Sequence, residues 1–215
     1  MDGMEHEPRL VDVEEPRDPQ GVVVVLHGGA AREGRMMVSP TQLSVLRMVP
    51  VAGRVAKAGR GRLAVHRLLN RWRGWDHEHT PVDDARWAVA LVGHSLGGRA
   101  ALLAGEHPSV RTVVALNPWV YPTDGADLRG RDVLVVHGDR DRIATIDRAQ
   151  AVARRLARST RVGFVTVPGG KHAMLGQGRT FEQAAADWVR ATLLGDEVPG
   201  PVGRVLDGDH WVTTG

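Results

Sequence analysis

The clearest chemical signal in the sequence is Gly93-His94-Ser95-Leu96-Gly97, which matches the pattern G-x-S-x-G. The apolar residues 88–92 precede it and the alanine-rich residues 99–106 follow it, so the serine is predicted at a turn between a buried strand and a helix. A sharp turn of this kind needs small flanking residues and projects the serine Oγ above the sheet. Ser95 is therefore a candidate nucleophile, although the pentapeptide alone is equally compatible with an ordinary glycine-rich turn.

A second glycine-rich segment, His27-Gly28-Gly29, follows the β-branched run at residues 22–26. The backbone N–H of Gly29, or alternatively of Ala30, is a candidate donor to the oxyanion that forms during acyl transfer. The N–H of Leu96, directly after the serine, is the second candidate donor. The alternative interpretation is a turn whose glycines only allow the chain to leave the sheet.

An acid and a histidine follow two further predicted strands. Gly138-Asp139-Arg140-Asp141 begins where the strand at residues 133–137 ends, and His172 lies shortly after the strand at residues 162–167. The order serine, acid, histidine along the chain is the one that this type of site requires. Catalytic groups in doubly wound sheets gather at the carboxyl ends of strands. The joint placement predicts one site built from several strand ends.

The elements that must position these residues alternate between strand and helix. Predicted strands cover residues 9–14, 22–26, 63–69, 88–92, 110–116, 133–137 and 162–167, and predicted helices cover 41–57 (kinked or split at Pro50), 99–106, 147–158 and 181–194. This alternation indicates an α/β fold, with a mostly parallel, doubly wound sheet and helices on both faces. We expect one domain over residues 1–195. Residues 196–215 form a tail that is an added strand, a disordered end or a partner-binding segment.

These motifs resemble those of the α/β-hydrolase superfamily, specifically its small, cap-less esterase-like or lipase-like members, which carry G-H-S-x-G-G. The resemblance covers residues 9–194. It implies that Ser95 is the nucleophile, that His172 is the general base and acid, and that Asp141 orients His172. Members of the family usually carry the acid three residues after the glycine of that strand end, which favours Asp141 over Asp139. The alternative role for Asp139 is a turn-stabilising bond to the backbone.

The sequence departs from the family pattern in two places. Residues 81–87, before the nucleophile strand, allow only about two helical turns where relatives have a full helix. No cap insertion follows Leu116, so we expect an open, shallow site. Trp119, Tyr121 and Met174 are its candidate substrate-binding residues, and each is equally compatible with core or rim packing.

The resulting hypothesis is a serine hydrolase that cleaves a carboxylic ester or thioester of a small-molecule acyl substrate through a Ser-His-Asp triad and an acyl-enzyme. A peptidase or amidase of the same fold, and a non-catalytic binding protein that retains the fold, are the alternatives. No cofactor is implied, and none of the motifs predicts a metal site. Asp76-His77-Glu78-His79 is better interpreted as a solvated loop, because consecutive loop positions rarely converge on one ion.

Composition excludes several other classes of protein. The 215 residues, 42% of them hydrophobic, suffice for one domain with a sizeable core, and the absence of cysteine excludes disulfides. No apolar run approaches the roughly 20 residues that span a bilayer, so we expect a cytoplasmic protein without a membrane span. Residues 34–75 contain nine Arg or Lys residues and no acid, which indicates either an anion-attracting surface or a solvated helix face. No nucleic-acid motif accompanies that charge, and the oligomeric state is left open.

Overall fold

The computed structural model describes residues 7–29, 36–74, 80–85 and 88–215, which together contain one eight-stranded sheet. Its strands are β1 (Arg9–Glu14), β2 (Gly21–Leu26), β3 (Leu63–Leu69), β4 (Ala90–His94), β5 (Thr112–Leu116), β6 (Asp132–Gly138), β7 (Arg161–Val167) and β8 (Trp211–Thr213). They lie in the order β1-β3-β2-β4-β5-β6-β7-β8. Strand β1 pairs antiparallel with β3, and every other pair is parallel.

The central strands are continuous apolar runs because helices cover both faces of the sheet. Every residue of β4 and β5 is buried, whereas β1, at the edge, alternates between exposed and half-buried residues. Strands buried on both faces favour β-branched residues, which Val22 to Val25 supply in β2 and Val133, Val135 and Val136 supply in β6.

The helices divide into two layers. Their bounds are α1 (Leu43–Leu46), α2 (Met48–Gly59), α3 (Thr80–Asp83), α4 (Leu96–Ala104), α5 (Ile146–Leu156), α6 (Gly178–Leu194) and α7 (Gly200–Leu206). Helices α2, α6 and α7 share a core with one face of the sheet, centred on Trp188 and Phe181. Helices α3, α4 and α5 pack on the other face, around Leu91 and Leu128. Within the described residues, no helix is both long and apolar enough to cross a membrane.

This architecture confirms the predicted α/β-hydrolase fold, with two differences in detail. The helix expected over residues 41–57 divides at Arg47, between α1 and α2, and not at Pro50. Pro50 is the third residue of α2, in the first turn, where a backbone N–H has no partner within the helix and its absence costs little. The helix before the nucleophile strand, α3, has four residues and is shorter than the two turns expected.

The tail contributes to the sheet. Gly195, with φ of 71°, ends α6 in the left-handed conformation. The chain then forms α7, and β8 adds a parallel strand beside β7. The ring of Trp211 stacks on that of Phe164 in β7, with the centroids 4.8 Å apart. Of the three alternatives for the tail, the structure has the added strand.

Candidate active site

The turn that carries Ser95 has a strained backbone that only its neighbours permit. Ser95 lies between β4 and α4 with φ of 58° and ψ of −121°, a conformation that non-glycine residues rarely adopt. A Cβ at Gly93 would lie 2.1 Å from the carbonyl oxygen of Gly97, and one at Gly97 would lie 2.6 Å from that of His27. The two glycines therefore allow β4, α4 and the end of β2 to approach closely, and the strain is concentrated at the serine.

Three side chains from three strand ends form one chain of hydrogen bonds. The Oγ of Ser95 lies 2.9 Å from Nε2 of His172, and Nδ1 of His172 lies 2.8 Å from Oδ2 of Asp141. The other carboxylate oxygen of Asp141 accepts the N–H groups of Ile143 and Ala144 at 2.8 and 2.9 Å. With Asp141 ionised, Nδ1 of His172 carries the donated proton and Nε2 is free to accept one from the serine.

The environment of Asp141 favours its ionised form. Burial by itself would raise the pKa of this carboxyl group, but the hydrogen bond from His172 and the two backbone N–H donors outweigh burial and hold the pKa below its usual value. Asp139, in the same loop, accepts the N–H of Gly169 at 2.7 Å. Of the two candidate acids, Asp141 is the one beside His172, and Asp139 bonds to the backbone of the turn.

Asn117, at the end of β5, joins the acid loop to the histidine loop. Its side-chain amide donates to the carbonyl oxygens of Lys171 and His172 at 3.0 and 3.2 Å. Its Oδ1 accepts the N–H of Gly138 at 2.8 Å, and its own φ is 42°. The side chain is fully buried, so these bonds fix the distance between the ends of β6 and β7. The sequence predicts this residue only as the end of a strand; an asparagine that precedes a proline at the end of a buried strand is the signal for a further role.

Two buried histidines flank the hydrogen-bond chain of Ser95, His172 and Asp141 without joining it. Nε2 of His94 donates to the carbonyl oxygen of His172 at 2.7 Å, and Nε2 of His137 donates to that of Ala144 at 2.9 Å. Burial, followed by the nearby charge of His172, lowers the pKa of His94 to about 3. Burial also lowers the pKa of His137, whose Nε2 is 3.6 Å from Asp141. Both rings are therefore neutral donors that hold the loops containing His172 and Asp141.

The candidate oxyanion donors lie on adjacent loops beside the serine. Gly29 and Ser95 line one cleft, and Gly29 and Leu96 line a cavity of about 10 Å³ next to it. Neither N–H has an acceptor among the described residues. The imidazole of His27 fixes this loop, because its Nδ1 donates to the carbonyl oxygen of Gly28 at 2.7 Å. Ala30, the alternative donor, lies outside the described residues.

A polar cleft and an apolar groove meet next to Ser95 and His172. The cleft has a volume of about 450 Å³ and includes Ser95 and His172 in its wall. The groove has a volume of about 660 Å³ and runs between α1 and the start of α6. Leu43 and Arg47 line both. Met174, in the left-handed conformation with φ of 56°, lines the groove, and its contact with substrate stays a prediction.

The two aromatic candidates for substrate binding, Trp119 and Tyr121, have different contacts from Met174. Trp119 donates its backbone N–H to the carbonyl oxygen of Ser95 at 3.1 Å, and its half-buried side chain is not part of the described walls of the cleft or the groove. The ring of Tyr121 lies 4.7 Å from the guanidinium of Arg99, which is paired with Asp124. A substrate contact by Trp119 or Tyr121 therefore remains a prediction from the sequence.

The residues discussed as a metal cluster, Asp76-His77-Glu78-His79, lie outside the described part of the chain. In the part that the structure describes, no group of three or more histidine, cysteine or acidic side chains is arranged to hold a metal ion.

Comparison with known proteins agrees with this architecture. The sequence profile of the alpha/beta hydrolase family matches residues 76–185, just over half of the chain. No curated protein sequence matches the chain. Among solved structures, an esterase domain of a Rhodothermus marinus protein is 17% identical, with a TM-score of 0.59 over 87% of this chain and 99% of that one.

Two further solved structures resemble this chain to a similar degree. An alpha-beta serine hydrolase homologue from Coxiella burnetii is 17% identical, with a TM-score of 0.64 over 86% of this chain and 93% of that one. A serine hydrolase without a lid from Xanthomonas campestris is 20% identical, with a TM-score of 0.62 over 85% and 87% of the two chains. At these identities the likeness shows a common fold. With the family profile covering half of its length, the chain belongs to the alpha/beta hydrolase family.

Proposed function

We propose that this protein is a serine esterase that hydrolyses a carboxylic ester or thioester through an acyl-enzyme. The observation that carries the proposal is the unbroken hydrogen-bond chain from Ser95 through His172 to Asp141. A serine hydroxyl is a weak nucleophile unless an adjacent base takes its proton, and a base works in this way only when a third group orients it. The geometry supplies both conditions before any substrate binds.

In the first half of the reaction, Oγ of Ser95 attacks the carbonyl carbon and its proton passes to Nε2 of His172. The carbonyl π electrons move to the oxygen, which becomes an oxyanion. When the tetrahedral intermediate collapses, the bond to the leaving alcohol or thiol breaks, and His172 returns the proton to that group. Asp141 stays ionised throughout and stabilises the imidazolium, in line with its lowered pKa.

In the second half, His172 removes a proton from water, which attacks the acyl-serine carbonyl. Collapse of this intermediate releases the carboxylic acid and returns the proton to Ser95. The N–H groups of Gly29 and Leu96 are the proposed donors to the oxyanion in both halves. Loss of one such donor costs about 10²–10³ in rate in comparable sites.

The described walls of the site favour a small-molecule ester. The cleft beside Ser95 joins a groove whose rim includes exposed apolar side chains, Leu43 and Leu175 among them. An esterase domain and a serine hydrolase without a lid are among the structures with a similar fold.

The test is turnover of a short-chain nitrophenyl ester by the purified protein and two variants. We expect Ser95→Ala to lower kcat/KM by about 10³-fold or more, because no other group forms the acyl-enzyme. Ser159→Ala, an exposed serine after α5, is the matched control and should keep wild-type activity. Equal turnover by wild type and Ser95→Ala would refute the proposal.

A further inference from the structure

Positive charge is present in the wall of the cleft that contains Ser95. Two arginines, Arg47 and Arg73, line this cleft together with Ser95 and His172. Among the described residues, its remaining walls are made by neutral side chains and glycines, namely Gly28, Gly29, Thr41, Gln42, Leu43, Ser44 and His94. No aspartate or glutamate belongs to the part of the wall that the structure describes. A neutral ester has no need of two cations at this position.

Arg47 is half-buried and has no counter-ion in the described part of the chain. Burial lowers the pKa of its guanidinium, which means that the charged form has lost hydration without a compensating partner. The positive charge of Arg47 is also close enough to the site to contribute to the lowered pKa of His94. An uncompensated, partly desolvated guanidinium is the group that a carboxylate or phosphate binds most strongly, because its fork of N–H donors fits two oxygens at once.

The neighbouring arginines have a different role. Within the acid-free segment of residues 34–75, Arg54 pairs with Glu182, Arg62 with Asp196 and Arg71 with Asp84; these acids lie outside that segment. These pairs connect elements of the fold. Arg73 and Arg47, by contrast, make no ion pair with any described residue. Three of the nine basic residues of this segment are thus paired with acids of the fold, whereas, within the described residues, the two that line the cleft are not.

We propose that the cleft selects esters or thioesters that carry an anionic group, a carboxylate or a phosphate, and that Arg47 binds this group while Arg73 adds a second positive charge. The inference rests on the proposed function, since the anionic group is part of the molecule that Ser95 attacks. Arg47 is a specificity-determining residue in this account. A charge-assisted bond of this kind changes kcat/KM between matched substrates by about tenfold to a hundredfold.

The test compares matched anionic and neutral esters. Mono-4-nitrophenyl adipate and 4-nitrophenyl 6-methylheptanoate have acyl groups of the same shape, with a carboxylate in one and an isopropyl group in the other. The pair 4-acetoxybenzoate and 4-acetoxybenzamide does the same for an anion on the leaving group. We expect wild type to prefer the anionic member of at least one pair by about tenfold or more in kcat/KM.

Variants assign that preference to Arg47. Arg47→Gln should remove it, and Arg47→Lys, which keeps the charge but loses the fork, should retain part of it. Arg158→Gln, at an exposed arginine after α5 that is outside the cleft wall, also removes one positive charge and should leave the preference unchanged. Stoichiometric labelling of Arg47→Gln by an uncharged fluorophosphonate checks that its site is folded.

Three outcomes would overturn the inference, and they differ in what they leave standing. If wild type turns over the neutral and anionic members of both pairs equally, Ser95 chemistry stands and anion selection fails. If the preference persists in a folded Arg47→Gln variant, the assignment to Arg47 fails. If wild type neither turns over any of the four esters nor reacts with the fluorophosphonate, the proposed function and the inference fail together.

Discussion

The two sides of the cleft differ in how their side chains are held. On the side formed by the ends of β6 and β7, Asp141 and His172 have fixed partners, and Asn117 ties the loops together. On the side formed by α1, Leu43 is 76% exposed and Arg47 has no ion-pair partner among the described residues. The first side is held by hydrogen bonds within the fold, and the second presents groups without a partner among the described residues.

This difference separates two tasks that many enzyme sites must combine. Proton transfer requires donors and acceptors held in place, because reorganisation at the moment of reaction costs rate. Binding affinity gains most from a group that is already partly dehydrated in the free protein, because the ligand then becomes its main partner. If the comparison is correct, changes on the β6–β7 side should lower turnover for every ester, whereas changes at Arg47 should alter the choice among esters.

The largest effect on the organised side is expected at Asp141. Asp141→Asn should lower kcat/KM by about 10³–10⁴-fold for neutral and anionic esters alike, because the amide would favour the wrong tautomer of His172. Steady-state kinetics with a nitrophenyl ester measures this directly. Asp139→Asn is the matched control, since Asp139 accepts a backbone N–H and does not contact His172. A larger loss of kcat/KM in the Asp139 variant would show that Asp139 is the acid that acts on His172. It would contradict the comparison between the two sides of the cleft.

A smaller effect concerns stability at low pH. The pKa of His94 is about 3 in the folded protein and its ordinary value is 6.5, so the unfolded chain binds a proton that the folded protein refuses between these values. His94 therefore contributes to the free energy of unfolding above pH 6.5. This contribution is lost as the pH falls toward 3, by up to about 1.4 kcal/mol per pH unit.

Urea unfolding at pH 7, 6, 5 and 4 measures this dependence. We expect His94→Gln to lose less stability on acidification than wild type does, because it removes one buried group that must accept a proton. His210→Gln, at an exposed histidine, is the control for removal of a histidine from the surface. Identical pH slopes for wild type and His94→Gln would show that His94 does not contribute to the organised side in this way.

The sequence alone predicts those features of the structure that a local pattern of residues determines. The valine-rich runs of β2 and β6 read as buried strands, and the glycines around Ser95 identified a strained turn, because only small residues fit there. These features depend on a few consecutive residues and their chemical types.

Features that depend on distant partners could not be predicted in the same way. Asn117 acts through residues 21 and 54 to 55 positions further along the chain, so nothing in its neighbourhood indicates that it joins two loops. The division of the expected helix at Arg47 brings a guanidinium into the cleft wall, and periodicity around Pro50 does not reveal it. The added strand β8 likewise exists only because β7 leaves an edge for it to pair with.

The central claim is that the buried network makes Ser95 a reactive nucleophile. The most direct measurement is the intact mass of wild type and Ser95→Ala after incubation with an uncharged fluorophosphonate, followed by peptide mapping of the adduct. The account predicts one phosphonyl group per wild-type chain, located on Ser95, and none on the variant. An unmodified but folded wild type, or an adduct on another residue, would contradict it.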